Sequence, residues 1–213
     1  MKILIFINEP DGWFMPWAEK LKTNLEKQNH TVNLLHKIKN ITQSGDIAFY
    51  LSCTVMIPQK ILDLHKHNLV CHPSDLPKGR GMSPLTWEIL AGKNTITLTL
   101  FEAVLAMDAG DIYYQSKINF SGHELNQELK DAQGEHTLKL CLKFIKNYPN
   151  ITSSKQQGEP SVYRRRKLED SKLDINKSLK EQFNLFRVVD NERYPAYFEH
   201  LGNKYILKIF SDE

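Results

Sequence analysis

Short apolar runs separated by turns and helical spacings constrain the first third of this chain more than any other feature. KILIFI (2–7) is continuous and isoleucine-rich, as expected of a strand buried on both faces. After the turn-rich NEPDGW, Trp17, Leu21 and Leu25 recur at helical spacing through residue 29. TVNLL (31–35) and DIAFYLS (46–52) read as two further strands, and Pro58 opens a short helix through Leu62 and His65. NLVC (68–71) is a fourth strand, running out at His72. This order predicts an α/β fold around a mostly parallel sheet flanked by helices.

The rest of the chain continues the pattern and then leaves it. A helix is expected over 84–91, started by Ser83 and stopped by Gly92. NTITLTLFEAV (94–104) alternates and is β-branched, so it predicts a strand, and DIYYQSKINF (111–120) follows after a turn at Ala109-Gly110. Leu125, Leu129, Ala132, His136, Leu140 and Phe144 mark a long amphipathic helix ending near Tyr148-Pro149. Residues 150–174 are polar and charged, the composition of a surface connector. Ser178, Leu179, Phe183 and Phe186 suggest one more helix, and AYFEHLGNKYILKI a closing β-hairpin turning near Leu201-Gly202-Asn203. The expected organisation is a sheet domain over 1–150, then a connector with a C-terminal helix and hairpin over 151–213.

Charge and cysteine content narrow the function classes. Among 213 residues, 28 basic and 25 acidic side chains leave a net charge of +3, a balance that argues against a nucleic-acid footprint. Cys53, Cys71 and Cys141 are widely spaced and odd in number, which suits reduced, buried thiols. No signal peptide or membrane-spanning run is read, so the cytoplasm is the expected location, with no membrane partner.

Several clusters could carry chemistry. His65, His67 and His72 could join Cys53 or Cys71 around a metal, but H-x-H-x4-H matches no strong zinc spacing. KGRGMS (78–83) has the composition of a phosphate-approaching loop and equally that of an exposed turn. YRRRK (163–167) is compensated at once by LEDSKLD, as in a solvated connector with local ion pairs. Neither Ser74 nor Cys71 has a base partner in a nucleophile pattern. His72 and Asp108 remain: both stand at strand ends, where α/β sheets bind ligands, and an imidazole beside a carboxylate suits proton transfer.

In register, His72, Ser74, Leu76, Pro77, Arg80, Gly81, Pro84, Trp87 and Gly92, followed by Asp108-Ala109-Gly110, resemble the motifs of the folate-dependent formyltransferases. The resemblance covers roughly residues 1–150. It implies a Rossmann-like catalytic domain, 10-formyltetrahydrofolate as co-substrate and no metal. It also implies attack of a primary amine on the formyl carbon, with His72 moving the proton and Asp108 orienting and polarising it. The family places the folate pterin against main chain near TVMIP (54–58), here Met56 and Ile57, and against the loop with Met107 and Asp108. The family asparagine that donates to the formyl oxygen falls on Val70, and Asn68, two residues earlier on the same strand face, is the candidate replacement.

Within the family, the stretches HNLVCHPSDLPKGRGMSPLTWEILAGKN and FNLFRVVDNERYPAYFEHLGNKYILKI are most similar to sugar N-formyltransferases acting on a UDP-linked 4-amino-4,6-dideoxy sugar of the pseudaminic acid type. That resemblance implies a nucleotide-linked amino sugar as acceptor and allows a homodimer. Arg193 would then pair with a pyrophosphate, Asn191 read a polar edge and Tyr194 stack on a base, with Lys78 and Arg80 as alternative phosphate contacts. The same DNERYPAYF stretch also reads as a plain turn into the hairpin. Another small amine such as glycinamide ribonucleotide, or a non-catalytic nucleotide-sugar-binding role, are the rival readings.

Overall fold

The computed structural model describes residues 1–212. β1 (Lys2–Phe6), α1 (Met15–Lys27), β2 (Thr31–Leu35), β3 (Gly45–Tyr50), α2 (Gln59–Leu62) and β4 (His65–His72) form the first third. β5 (Arg80–Gly81), α3 (Pro84–Leu90), β6 (Thr95–Glu102), β7 (Ile112–Asn119) and α4 (Asn126–Asn147) follow. β8 (Val162–Tyr163), α5 (Phe183–Val188), β9 (Ala196–His200) and β10 (Asn203–Leu207) complete the chain. The main sheet has the order β2-β1-β3-β4-β6-β7. Its first four strands are parallel, while β6 and β7 are antiparallel to their neighbours.

Strand periodicity sorts the core into two layers. Ile3, Ile5, Ile7, Phe49 and Leu69 face one side and pack against Leu21 and Leu25 of α1 and Cys141 and Phe144 of α4. Leu4, Phe6, Ala48 and Tyr50 face the other and meet Ile61 and Leu62 of α2. Each such side chain, removed from water, contributes roughly 1.5–3 kcal/mol. Coverage on both faces is why β1 and β3 read as unbroken apolar runs rather than as alternation.

Three local expectations are corrected. His65 belongs to β4, not to the preceding helix, so this strand is eight residues long rather than four. His67 packs against Phe144 on the α4 face and His72 falls on the α2 face, which separates these two histidines across the sheet. Ser83 takes the left-handed region (φ 56°) and makes no side-chain cap, so α3 begins on Pro84. The last helix shortens to the six residues of α5, because Ser178 and Leu179 lie in turns before it.

Residues 151–212 do more than cross the surface. β8 pairs with β5 in parallel. Val188 of α5 enters a core with Leu85, Ile89, Ile96 and Leu129, and Leu173, Phe186, Val189 and Ala196 form a small core of their own. No helix among the described residues is long and apolar enough to cross a membrane.

Candidate active site

His72 is the last residue of β4, at the carboxyl edge of the parallel strands, and is only 7% exposed. The turn after it is pinned where Thr99 Oγ1 donates to the Ser74 carbonyl (2.7 Å) and the Ser74 N–H to the His72 carbonyl (2.9 Å). His72 Nε2 lies 2.8 Å from the Gly79 carbonyl. A carbonyl only accepts, so Nε2 carries the proton and Nδ1 keeps the free lone pair. Asp108 Oδ2 stands 3.8 Å from the same Nε2. An imidazole held in this way can accept a proton at Nδ1 while its new charge faces a carboxylate.

Asp108 does not reach this position as the end of a parallel strand. β6 runs antiparallel to β4, with Thr99 opposite His72 and Glu102 opposite Leu69, so it passes the histidine and ends beyond it, toward the start of β4. The loop after it doubles back across the α2 face, where Ala103 packs beside Val70, and returns Asp108 to His72. The turn is strained: Asp108 has φ 49°, a region costly for a residue with a Cβ. Three contacts hold it. The Gly81 N–H donates to Asp108 Oδ2 (2.8 Å), and Gln156 Nε2 donates to the carbonyls of Asp108 and Gly110, each at 2.8 Å. Gly110 cannot carry a side chain, because a Cβ there would overlap the Glu102 carbonyl. Gly81 (φ 98°) is equally constrained, its absent Cβ leaving room for the Tyr163 carbonyl of β8.

His72 and Asp108 line a cleft of about 810 Å³ that crosses the sheet edge from the α2 side to the α4 side. Met56, Ile57 and Met107 line it as the sequence suggested, and so do Arg193 and Tyr194. Four suggested residues do not. Asn68 is buried, with Nδ2 donating to the carbonyls of Leu62 (3.0 Å) and His65 (3.4 Å) and Oδ1 accepting from Tyr50 Oη (3.0 Å). Its amide is committed to the turn after α2, so it is no free donor beside His72. Lys78 is exposed outside the cleft. Arg80 spends Nη2 on Gln156 Oε1 (2.6 Å), and Asn191 clamps Ile209 through both its amide atoms (2.7 and 3.1 Å).

At the position of Val70 the cleft wall is apolar. Its register neighbour on β3 is Tyr50, whose phenol points back to Asn68. Burial pushes that phenol well above its ordinary pKa, with nearby Cys53 and Glu102 adding to the effect, so it stays neutral. No group of three or more His, Cys, Asp or Glu side chains placed to hold a metal ion occurs among the described residues.

A model of the formyl transferase family matches residues 18–143, which include His72, the Arg80-Gly81 turn and Asp108. The chain belongs to the formyl transferase family. A methionyl-tRNA formyltransferase of Francisella philomiragia is 28% identical over 137 residues, 64% of this chain and 44% of that protein. The chain thus spans about half the length of the curated relatives it matches. Solved structures share the formyltransferase fold across the whole chain. They include a methionyl-tRNA formyltransferase from Clostridium thermocellum (TM-score 0.84, 21% identity, 100% of this chain and 94% of that one). A protein of Mycobacterium tuberculosis described as a likely sugar N-formyltransferase also matches (TM-score 0.76, 16% identity, 100% and 98%). So does HypX from Aquifex aeolicus in complex with tetrahydrofolic acid (TM-score 0.76, 20% identity, 98% and 37%).

Sequence reasoning missed the residues that hold the formyl transferase loop from outside it. Gln156 and Ser161 sit in the polar connector, where nothing in composition marks a side chain that turns inward. Ser161 Oγ accepts from the Gly79 N–H (2.9 Å) and its carbonyl from the Arg80 N–H (2.9 Å). Arg165 and Arg166 line the cleft, whereas Arg164 behaves as the solvated connector residue expected, pairing with Asp170 Oδ2 at 2.7 Å.

Proposed function

We propose that this protein transfers a formyl group from 10-formyltetrahydrofolate to the amine of a nucleotide-linked 4-amino-4,6-dideoxy sugar, most simply a UDP-sugar. The observation that carries the reading is the His72–Asp108 pair, 3.8 Å apart in a cleft open to both sides of the sheet edge. In this reading the amine nitrogen attacks the formyl carbon and the carbonyl electrons move to oxygen. His72 Nδ1 takes the amine proton, and the imidazolium formed is stabilised by Asp108 and the Gly79 carbonyl. Collapse of the tetrahedral species breaks the bond to N10 of the folate, which receives the proton from His72. The N-formylated amino sugar and tetrahydrofolate are the products.

The folate would lie against Met56, Ile57 and Met107, on the α2 side of His72, leaving the α4 side to the acceptor. A net charge of +3 and the mixture of acids and bases around the cleft favour a small anionic acceptor over a long polyanion. The second reading, a nucleotide-sugar-binding protein without turnover, is favoured by Val70 alone, which withdraws one hydrogen-bond donor from the formyl oxygen.

The test is formyl transfer from 10-formyltetrahydrofolate to a panel of acceptors, read by tetrahydrofolate formation and by the mass of the product. Turnover is expected with the UDP-linked amino sugar. Turnover confined to methionyl-tRNA or glycinamide ribonucleotide would overturn the acceptor assignment. Binding of folate and nucleotide sugar with no turnover would establish the second reading.

A further inference from the structure

Resting on the acceptor assigned above, we propose that Arg165 and Arg166, with Tyr194 beside them, form the subsite that receives the acceptor's diphosphate.

The two arginines are the cleft's unmatched cations. Of the other basic side chains lining it, Lys130 pairs with Asp190 (3.1 Å) and Arg193 lies 3.9 Å from Glu9. Asp108, the remaining acid of the lining, belongs to His72. Arg165 is exposed, and its side chain makes no hydrogen bond or ion pair among the described residues. Arg166 is 9% exposed, donating from Nη1 to the Val188 carbonyl (2.6 Å) and from Nη2 to Ser171 Oγ (2.9 Å), with no partner for Nε. No carboxylate stands within ion-pair distance of it among the described residues. Asp170 and Asp190 favour its charge only from a distance and burial outweighs them, leaving a desolvation cost that a bound anion would offset.

The surroundings favour phosphate over a lone carboxylate. Thr137 of α4, on the same lining, is 1% exposed and its Oγ1 also lacks a partner. A diphosphate carries two negative charges, matching the two unpaired guanidinium groups, and planar forks suit its oxygens. Tyr194, 37% exposed on the same lining, supplies an aromatic face for the attached base. Arg166 holds the Val188 carbonyl of α5, which Asn126 of α4 also holds, away from Ile57, which packs with α2. The folate side of the site therefore does not need Arg166.

The test is calorimetric binding of inorganic pyrophosphate, UDP and 5-formyltetrahydrofolate to the full chain. It compares the unaltered protein with Arg165→Gln, Arg166→Gln and the charge-conserving Arg166→Lys, each checked by thermal melting. Arg165→Gln, an exposed change, is expected to weaken pyrophosphate and UDP about tenfold, with folate affinity unchanged. Arg166→Gln should weaken them more than Arg166→Lys does. Unchanged pyrophosphate and UDP affinity in folded Arg165→Gln would overturn the subsite, and so would a loss of folate affinity in its place. Binding is read without turnover. A protein that holds UDP through these arginines but formylates no nucleotide sugar keeps the subsite and loses the function. One that formylates the sugar with an unchanged KM in Arg165→Gln keeps the function and loses the subsite.

Discussion

In the proposed mechanism, the role of His72 rests on a single carbonyl. Gly79 fixes the proton on Nε2, and Asp108 stands 3.8 Å from the same nitrogen, where it would meet the charge that follows protonation at Nδ1. His72→Ala should therefore lower turnover about a hundred- to ten-thousand-fold, and Asp108→Asn should do so to a similar extent while the melting temperature holds. Near-native rates in both variants would remove the pair from the mechanism. Val70 offers the converse experiment. If the formyl oxygen lacks one donor, Val70→Asn should raise turnover by roughly a hundredfold, the worth of one oxyanion contact. No gain in steady-state rate would mean that main chain or water already fills the role. Asn68 separates from both: Asn68→Ala strands Tyr50 Oη and the Leu62 carbonyl, costing about 1–3 kcal/mol of stability, and turnover of the folded fraction should be unchanged.

Among the elements, the two-residue pairing of β5 with β8 governs the site from a distance. Gly81 donates to Asp108 only because it can approach the Tyr163 carbonyl at φ 98°. Gly81→Ala should break both contacts, with a fall in kcat exceeding what the loss in melting temperature explains. A second link ties α5 to the body. Arg187, 1% exposed, lies 3.3 Å from Glu124 and donates to Asn94 Oδ1 at 2.8 Å. Burial would raise the Glu124 carboxyl, but the amides of Ser121, Glu124 and Gly122 outweigh it and hold the group down at about 2. A depressed carboxylate stabilises the fold fully above its ordinary 4.5, and that stability is lost as pH falls through about 2. Thermal melts should show this acid loss in the native protein and a shallower one in Glu124→Gln. At neutral pH that variant should also be weaker by about 3–5 kcal/mol, because Arg187 is left buried without its anion.

At the scale of the whole molecule, the 1–150 segment that carries the motifs does not carry the complete site. Val188 closes the core over Leu85, Ile89 and Leu129, and Gln156 holds the Asp108 turn. A chain ending at residue 150 should melt at a markedly lower temperature than the full chain and show no turnover. Equal turnover of the two by the folate assay would assign the tail to acceptor binding alone.

Local pattern was enough for much of this. The unbroken apolar runs of β1 and β3, the helical spacing of α1 and α4 and the alternation in β6 each record burial that a strand or helix imposes on its own residues. His72 was legible because a histidine in a proline-flanked turn at a strand end stands out locally, and Asp108 because it follows in the motif. Their proximity was not legible for the reason first given: β6 points the wrong way, and a strained loop covers the difference. The commitment of Asn68 to the turn after α2, the anchoring by Gln156 and Ser161, and the separation of Arg165 and Arg166 from the solvated Arg164 all depend on contacts between distant segments. A period of two or 3.6 encodes which face of an element is buried. It does not encode what meets that face, so packing alone decided which polar side chains turn into the cleft.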